Sequence, residues 1–179
     1  MKYTQEMIEF EAKFISKAKE YAINCHNGTN HKYDGKPYET HLQMVVDCAY
    51  GFIHLVDEPF KMHVIASAWT HDVIEDCRQT FNDVGAVLGL SVAELVYAVT
   101  NEKGRTRQER ANNVYYQGIR DCRYAGFVKL CDRIANVRYS KEQGSKMFDL
   151  YKKEHRTFKA YLSGIGCEPL WDELDRLFS

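Results

Sequence analysis

Apolar residues in this chain recur at intervals of three and four, and only three prolines interrupt 179 residues. That spacing dictates helices, because side chains three or four apart share a helix face whereas neighbours in a strand alternate. Met7, Phe10, Phe14, Ala18 and Tyr21 make a first stripe, with Thr4 placed to cap it. Asn27 to Lys36 carries Gly28 and Gly35 among polar residues and reads as a loop. Pro37 suits a first helical turn, and His41, Val45, Cys48 or Ala49, and Phe52 follow on one face. Pro59 opens a third helix that runs through Val64 and Ala68 to about Asp76. Capping patterns at Thr80–Asp83, Ser91–Glu94 and Thr106–Glu109 announce two short helices and a longer one through about Ile119. Further helices are predicted from about Ala125 to Tyr139, Met147 to Leu162 and Pro169 to Phe178. The expected class is all-α, a single domain over 1–179 built from about eight or nine helices.

Charge narrows the partners. The chain holds 24 Lys and Arg against 25 Asp and Glu, a formal net charge of −1. Binding to nucleic acid by counterion release needs a basic excess or stripe. The one compact basic run is Lys103-Gly104-Arg105-Thr106-Arg107, with Arg110 close behind. A long polyanion is therefore not expected, whereas a small anion met by a few local cations is allowed. No apolar run approaches the roughly 18 residues of a membrane span. The opening MKYTQEMIEF has acidic residues where a signal peptide carries an apolar stretch. A soluble, cytoplasmic protein is expected. The six cysteines have wide, irregular spacing and no CxxC pair, which points to reduced thiols rather than a disulfide framework or a zinc finger.

One hexapeptide carries chemistry. A His-Asp dipeptide is common by chance, but His71-Asp72-Val73-Ile74-Glu75-Asp76 is expected only roughly 0.002 times in a chain like this. On a continuous helix His71, Asp72, Glu75 and Asp76 fall within an arc of about 140°. Four ionisable groups on an otherwise apolar helix are costly to bury unpaired. A divalent cation offsets that cost, and mixed imidazole and carboxylate ligands suit Mn²⁺, Fe²⁺ or Zn²⁺ better than Ca²⁺. The competing reading makes Glu75 and Asp76 caps of a solvated helix end and His71 a satisfied core histidine. The full set, together with His41 and Asp132 on other apolar faces, favours the metal.

These residues resemble the H…HD…D pattern of HD-domain metal-dependent phosphohydrolases. Within that superfamily the resemblance is to the hydrolase domain of RelA/SpoT-type alarmone enzymes and to stand-alone small alarmone hydrolases of the Mesh type. It covers residues 21–140. His26-x-Gly28, then His31-Lys32-Tyr33-Asp34-Gly35-Lys36-Pro37-Tyr38-x-x-His41, resembles the family's "H-x-G-Q-x-R-K-x-x-G-x-P-Y-x-x-H-P". HDVIED resembles "HDTVEDT". Val99-Thr100 with Lys103, Arg107 and Arg110 resembles "VTDxxK…ER", and Lys129 to Arg138 resembles "KLADRLHNLR".

The resemblance implies an all-α HD-domain bundle with one metal, usually Mn²⁺, held by His41, His71, Asp72 and Asp132. It implies that Glu75 and Asp76 serve the attacking water and the leaving group in removing 3′-pyrophosphate from ppGpp or pppGpp, the alarmones of the stringent response. It also implies nucleotide contacts from His31, Lys32, Tyr38, Lys129, Arg133, Asn136 and Arg138. Four positions depart from the family pattern: His31 for Arg, Leu42 for Pro, Cys77 for Thr and Tyr139 for Thr or Asp. Another nucleotide (a dNTP, a nucleoside monophosphate or NADPH) and a non-catalytic nucleotide sensor are the alternatives. The 40 residues after Tyr139 are expected to be packing helices, too few for the synthetase and regulatory domains of the long enzymes.

Overall fold

The structure, a computed structural model, describes residues 4–179; the first three residues of the opening segment lie outside them. Nine helices of eight residues or more are present among the described residues, with two single-turn segments and one 3₁₀ turn. The first helix, α1 (Gln5–Gly28), is capped as its sequence predicts, Thr4 Oγ1 accepting from Met7 N at 3.3 Å. Its stripe is buried only from the middle onward. Ala18 and Ala22 are fully covered, whereas Phe10 is 62% exposed because the first turns project beyond their neighbours.

The segment expected to be a loop holds a small antiparallel hairpin, β1 (Lys32–Tyr33) with β2 (Lys36–Pro37). Asp34 and Gly35 have φ of +50° and +77° at its two turn positions. An Asp-Gly pair suits such a turn, since both central residues must adopt positive φ. Pro37 accordingly belongs to β2 rather than to a first helical turn, and α2 (Glu39–Gly51) begins two residues later.

The third predicted helix is interrupted. It divides into α3 (Glu58–Thr70) and the single turn α4 (Val73–Asp76), so His71 and Asp72 sit at a break. Next come α5 (Phe81–Leu88), with the Thr80–Asp83 capping box formed, and α6 (Leu90–Val99). Ser91 is not the cap of α6. Gly89, at φ +84°, occupies that position and lets the chain turn directly from α5 into α6. The helix expected from Thr106 to Ile119 is two, α7 (Arg107–Arg110) and α8 (Asn113–Asp121), because Asn112 caps a new start by accepting from Tyr115 N.

Helix α9 (Ala125–Glu142) is the hub. It packs against α2, α3, α6 and α8, and against the last two helices, α10 (Lys146–Leu162) and α11 (Glu168–Phe178). Its buried residues, among them Phe127, Leu130, Ile134 and Val137, explain why its apolar positions run almost all round. No helix of the described residues is long and apolar enough to cross a membrane.

Candidate metal centre and its cleft

Three mutually packed helices bring the predicted ligands together. His41 lies in the first turn of α2, His71 ends α3, and Asp132 faces them from the middle of α9. One ligand atom each of His41, His71 and Asp132 lies within 4.8 Å of the others. The two Nε2 atoms are 3.3 Å apart, and His41 Nε2 is 3.3 Å from Asp132 Oδ1. Asp72 completes the group, its Oδ2 3.0 Å from His71 Nε2 and 3.6 Å from His41 Nε2. Both histidines are 1% exposed and Asp132 is 7% exposed.

The protonation pattern shows what this cluster lacks. His71 Nδ1 faces the Ala68 carbonyl at 2.9 Å, a bond that fixes Nδ1 as the donor and turns the Nε2 lone pair inward. Burial opposes a charge on His71, yet Asp72 and Asp132 raise its pKa to about 9. Burial likewise opposes ionisation of Asp132. Lys129 and the two histidines nevertheless hold its carboxyl well below the usual range. The two carboxylates thus demand a cation, and two imidazole nitrogens at 3.3 Å cannot both supply a proton cheaply. A divalent cation accepting all four donors fits the residues present.

Other side chains hold these four. Tyr38 donates to Asp72 Oδ2, and Lys129 Nζ pairs with Asp132 Oδ2 at 2.9 Å. Asn136 Nδ2 donates to Asp132 Oδ1 at 2.5 Å, and Asn136 Oδ1 accepts from Tyr33 Oη at 3.0 Å. Tyr33 also stacks on His41, with ring centroids 4.8 Å apart. Tyr33 had no role in the sequence reading. It lies inside the loop motif, but its partner Asn136 is 103 residues away.

The cluster forms the floor of a cleft of about 1130 Å³. Glu75 and Asp76 line it from α4; Lys129, Arg133 and Asn136 line it from α9. Burial, with Asp72 and Glu75 adding negative charge nearby, pushes the Asp76 carboxyl up to about 7. His31 stands beside it, Nδ1 3.7 Å from Asp76 Oδ2, and stacks on Tyr38. Lys32 is exposed on β1 and is not part of the lining. Arg133 lines the cleft but is committed to Glu154 at 3.0 Å, its guanidinium over Tyr151 and Phe158. Arg138 is a correction: it points to α11, where Glu173 binds it at 2.5 Å, and takes no part in the cleft. Six residues of α9, about 1.7 turns, separate Asp132 from Arg138 and leave their side chains about 120° apart around the helix, which puts Arg138 on the α11 side.

An all-helical bundle enclosing a buried His-His-Asp group in an acid- and cation-lined cleft defines a class of metal-site protein. Comparison with known proteins identifies the family. The HD domain matches residues 18–161, and the chain belongs to the HD-domain family. It is 30% identical over 119 residues to the zebrafish (Danio rerio) guanosine-3′,5′-bis(diphosphate) 3′-pyrophosphohydrolase MESH1, covering 66% of this chain and 64% of that one. It is 30% identical over 137 residues to the Escherichia coli bifunctional (p)ppGpp synthase/hydrolase SpoT, covering 73% of this chain and 18% of that one. A solved structure of a metazoan SpoT ortholog, described as hydrolysing ppGpp and acting in starvation responses, superposes with a TM-score of 0.73. That match has 24% identity and covers 99% of this chain and 97% of the other. The likeness fixes the fold.

Proposed function

We propose that this protein is a Mn²⁺-dependent hydrolase that removes pyrophosphate from the 3′ position of ppGpp and pppGpp. The observation that carries the reading is the convergence of His41, His71, Asp72 and Asp132 at the floor of a cleft whose wall bears Glu75 and Asp76. The named activities of the zebrafish and E. coli relatives support the same substrate. A cleft of about 1130 Å³ slightly exceeds the roughly 300–1,000 Å³ usual for small-molecule sites, as a nucleotide with two diphosphates requires.

Held by those four residues, a divalent cation would supply Lewis acidity toward water and a phosphoryl oxygen. Glu75 accepts a proton from the attacking water and orients it toward the phosphorus bonded to the 3′ oxygen. The bond from that phosphorus to the 3′ oxygen breaks. Asp76, protonated because its pKa is raised to about 7, gives its proton to the departing oxygen. One water is consumed; a free 3′-hydroxyl and pyrophosphate are released. Lys153, exposed at the cleft wall with no acidic partner among the described residues, meets phosphates distant from the metal. Asn136 borders the same space, and His31 and Lys32, which do not line it, meet the substrate only if it extends over the hairpin.

With this reading go a cytoplasmic location, a small-molecule nucleotide rather than a nucleic acid as partner, and one domain over 1–179. A screen of guanosine and adenosine polyphosphates, deoxynucleotides, nucleoside monophosphates and NADPH with Mn²⁺ tests it. The expected result is turnover of 3′-diphosphorylated guanosine nucleotides far above the rest. Preferential turnover of any other nucleotide would replace the substrate.

A further inference from the structure

Along α9 the cleft lining stops at Asn136, where the hairpin begins. There Tyr33 lies edge-on to Tyr139, with ring centroids 4.9 Å apart, and Tyr139 Oη donates to Asp34 Oδ2 at 2.8 Å. Lys36 Nζ covers the same ring, 5.1 Å from its centroid. These contacts tie the hairpin to α9, and His31, Lys32, Tyr33 and Tyr139 all stay outside the lining. Two of the four departures from the family pattern, His31 and Tyr139, fall at this end.

From the metal floor the cleft runs the other way, to the last turn of α10. Lys129, whose Nζ pairs with Asp132, also lies 5.9 Å from the ring centroid of Tyr115 on α8. The next residue, Tyr116, stands parallel to Tyr161 of α10, with centroids 4.3 Å apart and planes within 4°. Tyr116 is buried and backed edge-on by Phe158 at 6.3 Å, whereas Tyr161 is 40% exposed and lines the cleft. Arg120 Nη1 donates to the carbonyls of Tyr161 and Ser163, both at 3.0 Å, which fixes the end of this helix. Glu154, paired with Arg133 beside Asp132, is two turns of α10 before Tyr161 on the same face, about 10 Å along the axis.

We infer that Tyr161, backed by Tyr116, is the stacking subsite for the purine base of the nucleotide. This subsite presupposes the nucleotide reading proposed above and fixes how the nucleotide lies, with the reacting phosphate at the metal and the base toward the end of α10. A tyrosine ring held flat by a buried partner and open to a cleft is a ready π face, and it has few rotamers to lose when a base settles on it. Stacking asks only for a π face, so it accepts guanine and adenine alike. Discrimination between them falls to groups that meet the base edges.

The test is isothermal titration of Mn²⁺-loaded wild type, Tyr161→Ala and Tyr161→Phe with GDP, with ADP, and with tripolyphosphate, which carries the charge without a base. Tyr161→Ala is expected to weaken GDP and ADP about 10-fold or more and to leave tripolyphosphate within about twofold. Tyr161→Phe keeps the ring and restores both nucleotides to within about threefold of wild type. With ppGpp as substrate, the loss in Tyr161→Ala appears in KM, with kcat within about threefold. GDP affinity within twofold of wild type in Tyr161→Ala overturns the inference, as does a loss that tripolyphosphate shares. A loss of GDP found in His31→Ala and absent from Tyr161→Ala overturns it too, and places the base at the hairpin. If wild type turns over no ppGpp while GDP weakens selectively in Tyr161→Ala, the substrate reading fails and the subsite stands. If wild type binds tripolyphosphate but neither GDP nor ADP, the subsite is overturned.

Discussion

In the proposed reaction His41, His71, Asp72 and Asp132 would hold the metal, whereas Glu75 and Asp76 would move protons, and the surroundings of each set differ accordingly. Of the first set His41, His71 and Asp132 are buried and Asp72 is half-buried, and Tyr38, Lys129 and Asn136 back them. The acting pair opens on the cleft. Asp132→Ala is expected to abolish Mn²⁺ retention, measured as metal content after gel filtration. Glu75→Ala is expected to keep the metal and lose at least about 100-fold in kcat; normal activity would remove Glu75 from the reaction. The pH dependence follows from Asp76, whose carboxyl is raised to about 7 mainly by burial. Its proton is needed for the leaving group, so the competent form is present below about 7 and is lost as pH rises through that value. A kcat profile should fall on the alkaline side, and Asp76→Asn should remove that limb along with most of the rate. At this scale the hexapeptide was legible, because its residues are adjacent. Asn101 with Glu75, 26 residues apart, and Tyr33 with Asn136, 103 apart, had no local spacing to reveal them.

Among the elements, local chemistry and tertiary contact divide the helix boundaries between them. Thr4, Thr80 and Thr106 each cap the helix that follows, and all three were readable because the partner lies three residues on. Thr80→Ala removes the half of the capping box in which Thr80 Oγ1 accepts from Asp83 N, keeps the half in which Thr80 N donates to the Asp83 carboxylate, and should cost about 1 kcal/mol, measured by urea unfolding. The break between α3 and α4 carries no Pro or Gly and was not readable. A helix straight through to Asp76 was expected. Instead Asp72 turns toward Tyr38, a contact that exists only once the start of α2 has docked, while His71 bonds back to Ala68 of α3. The division of α7 from α8 shows the reverse: Asn112 is an ordinary N-cap, but the preceding Thr106 pattern masks it. That short α7 carries Arg110, which faces Glu75, and Arg107, which pairs with Glu154 across the cleft.

The molecule as a whole segregates a nearly neutral charge total. Asp72, Glu75, Asp76 and Asp132 gather at one end of the cleft, and Arg107, Arg110, Arg133 and Lys153 stand along its walls. A balance of 24 cations and 25 anions therefore conceals the local charge separation on which the proposed metal and polyphosphate site rests. The C-terminal helices belong to the same core: Leu170 and Leu174 of α11 are fully buried, and α11 packs on α9. Leu174→Ala should cost about 2–5 kcal/mol. If 1–179 is one domain, far- and near-UV circular dichroism will report one coincident transition at a lower urea midpoint. Two separated transitions would divide it. The central claim is the reaction itself, and phosphorus NMR of ppGpp incubated with the Mn²⁺-loaded protein tests it most directly. Free pyrophosphate is expected to appear together with GDP, and neither appears with Asp132→Ala. Release of orthophosphate, or an unchanged ppGpp spectrum, would contradict it.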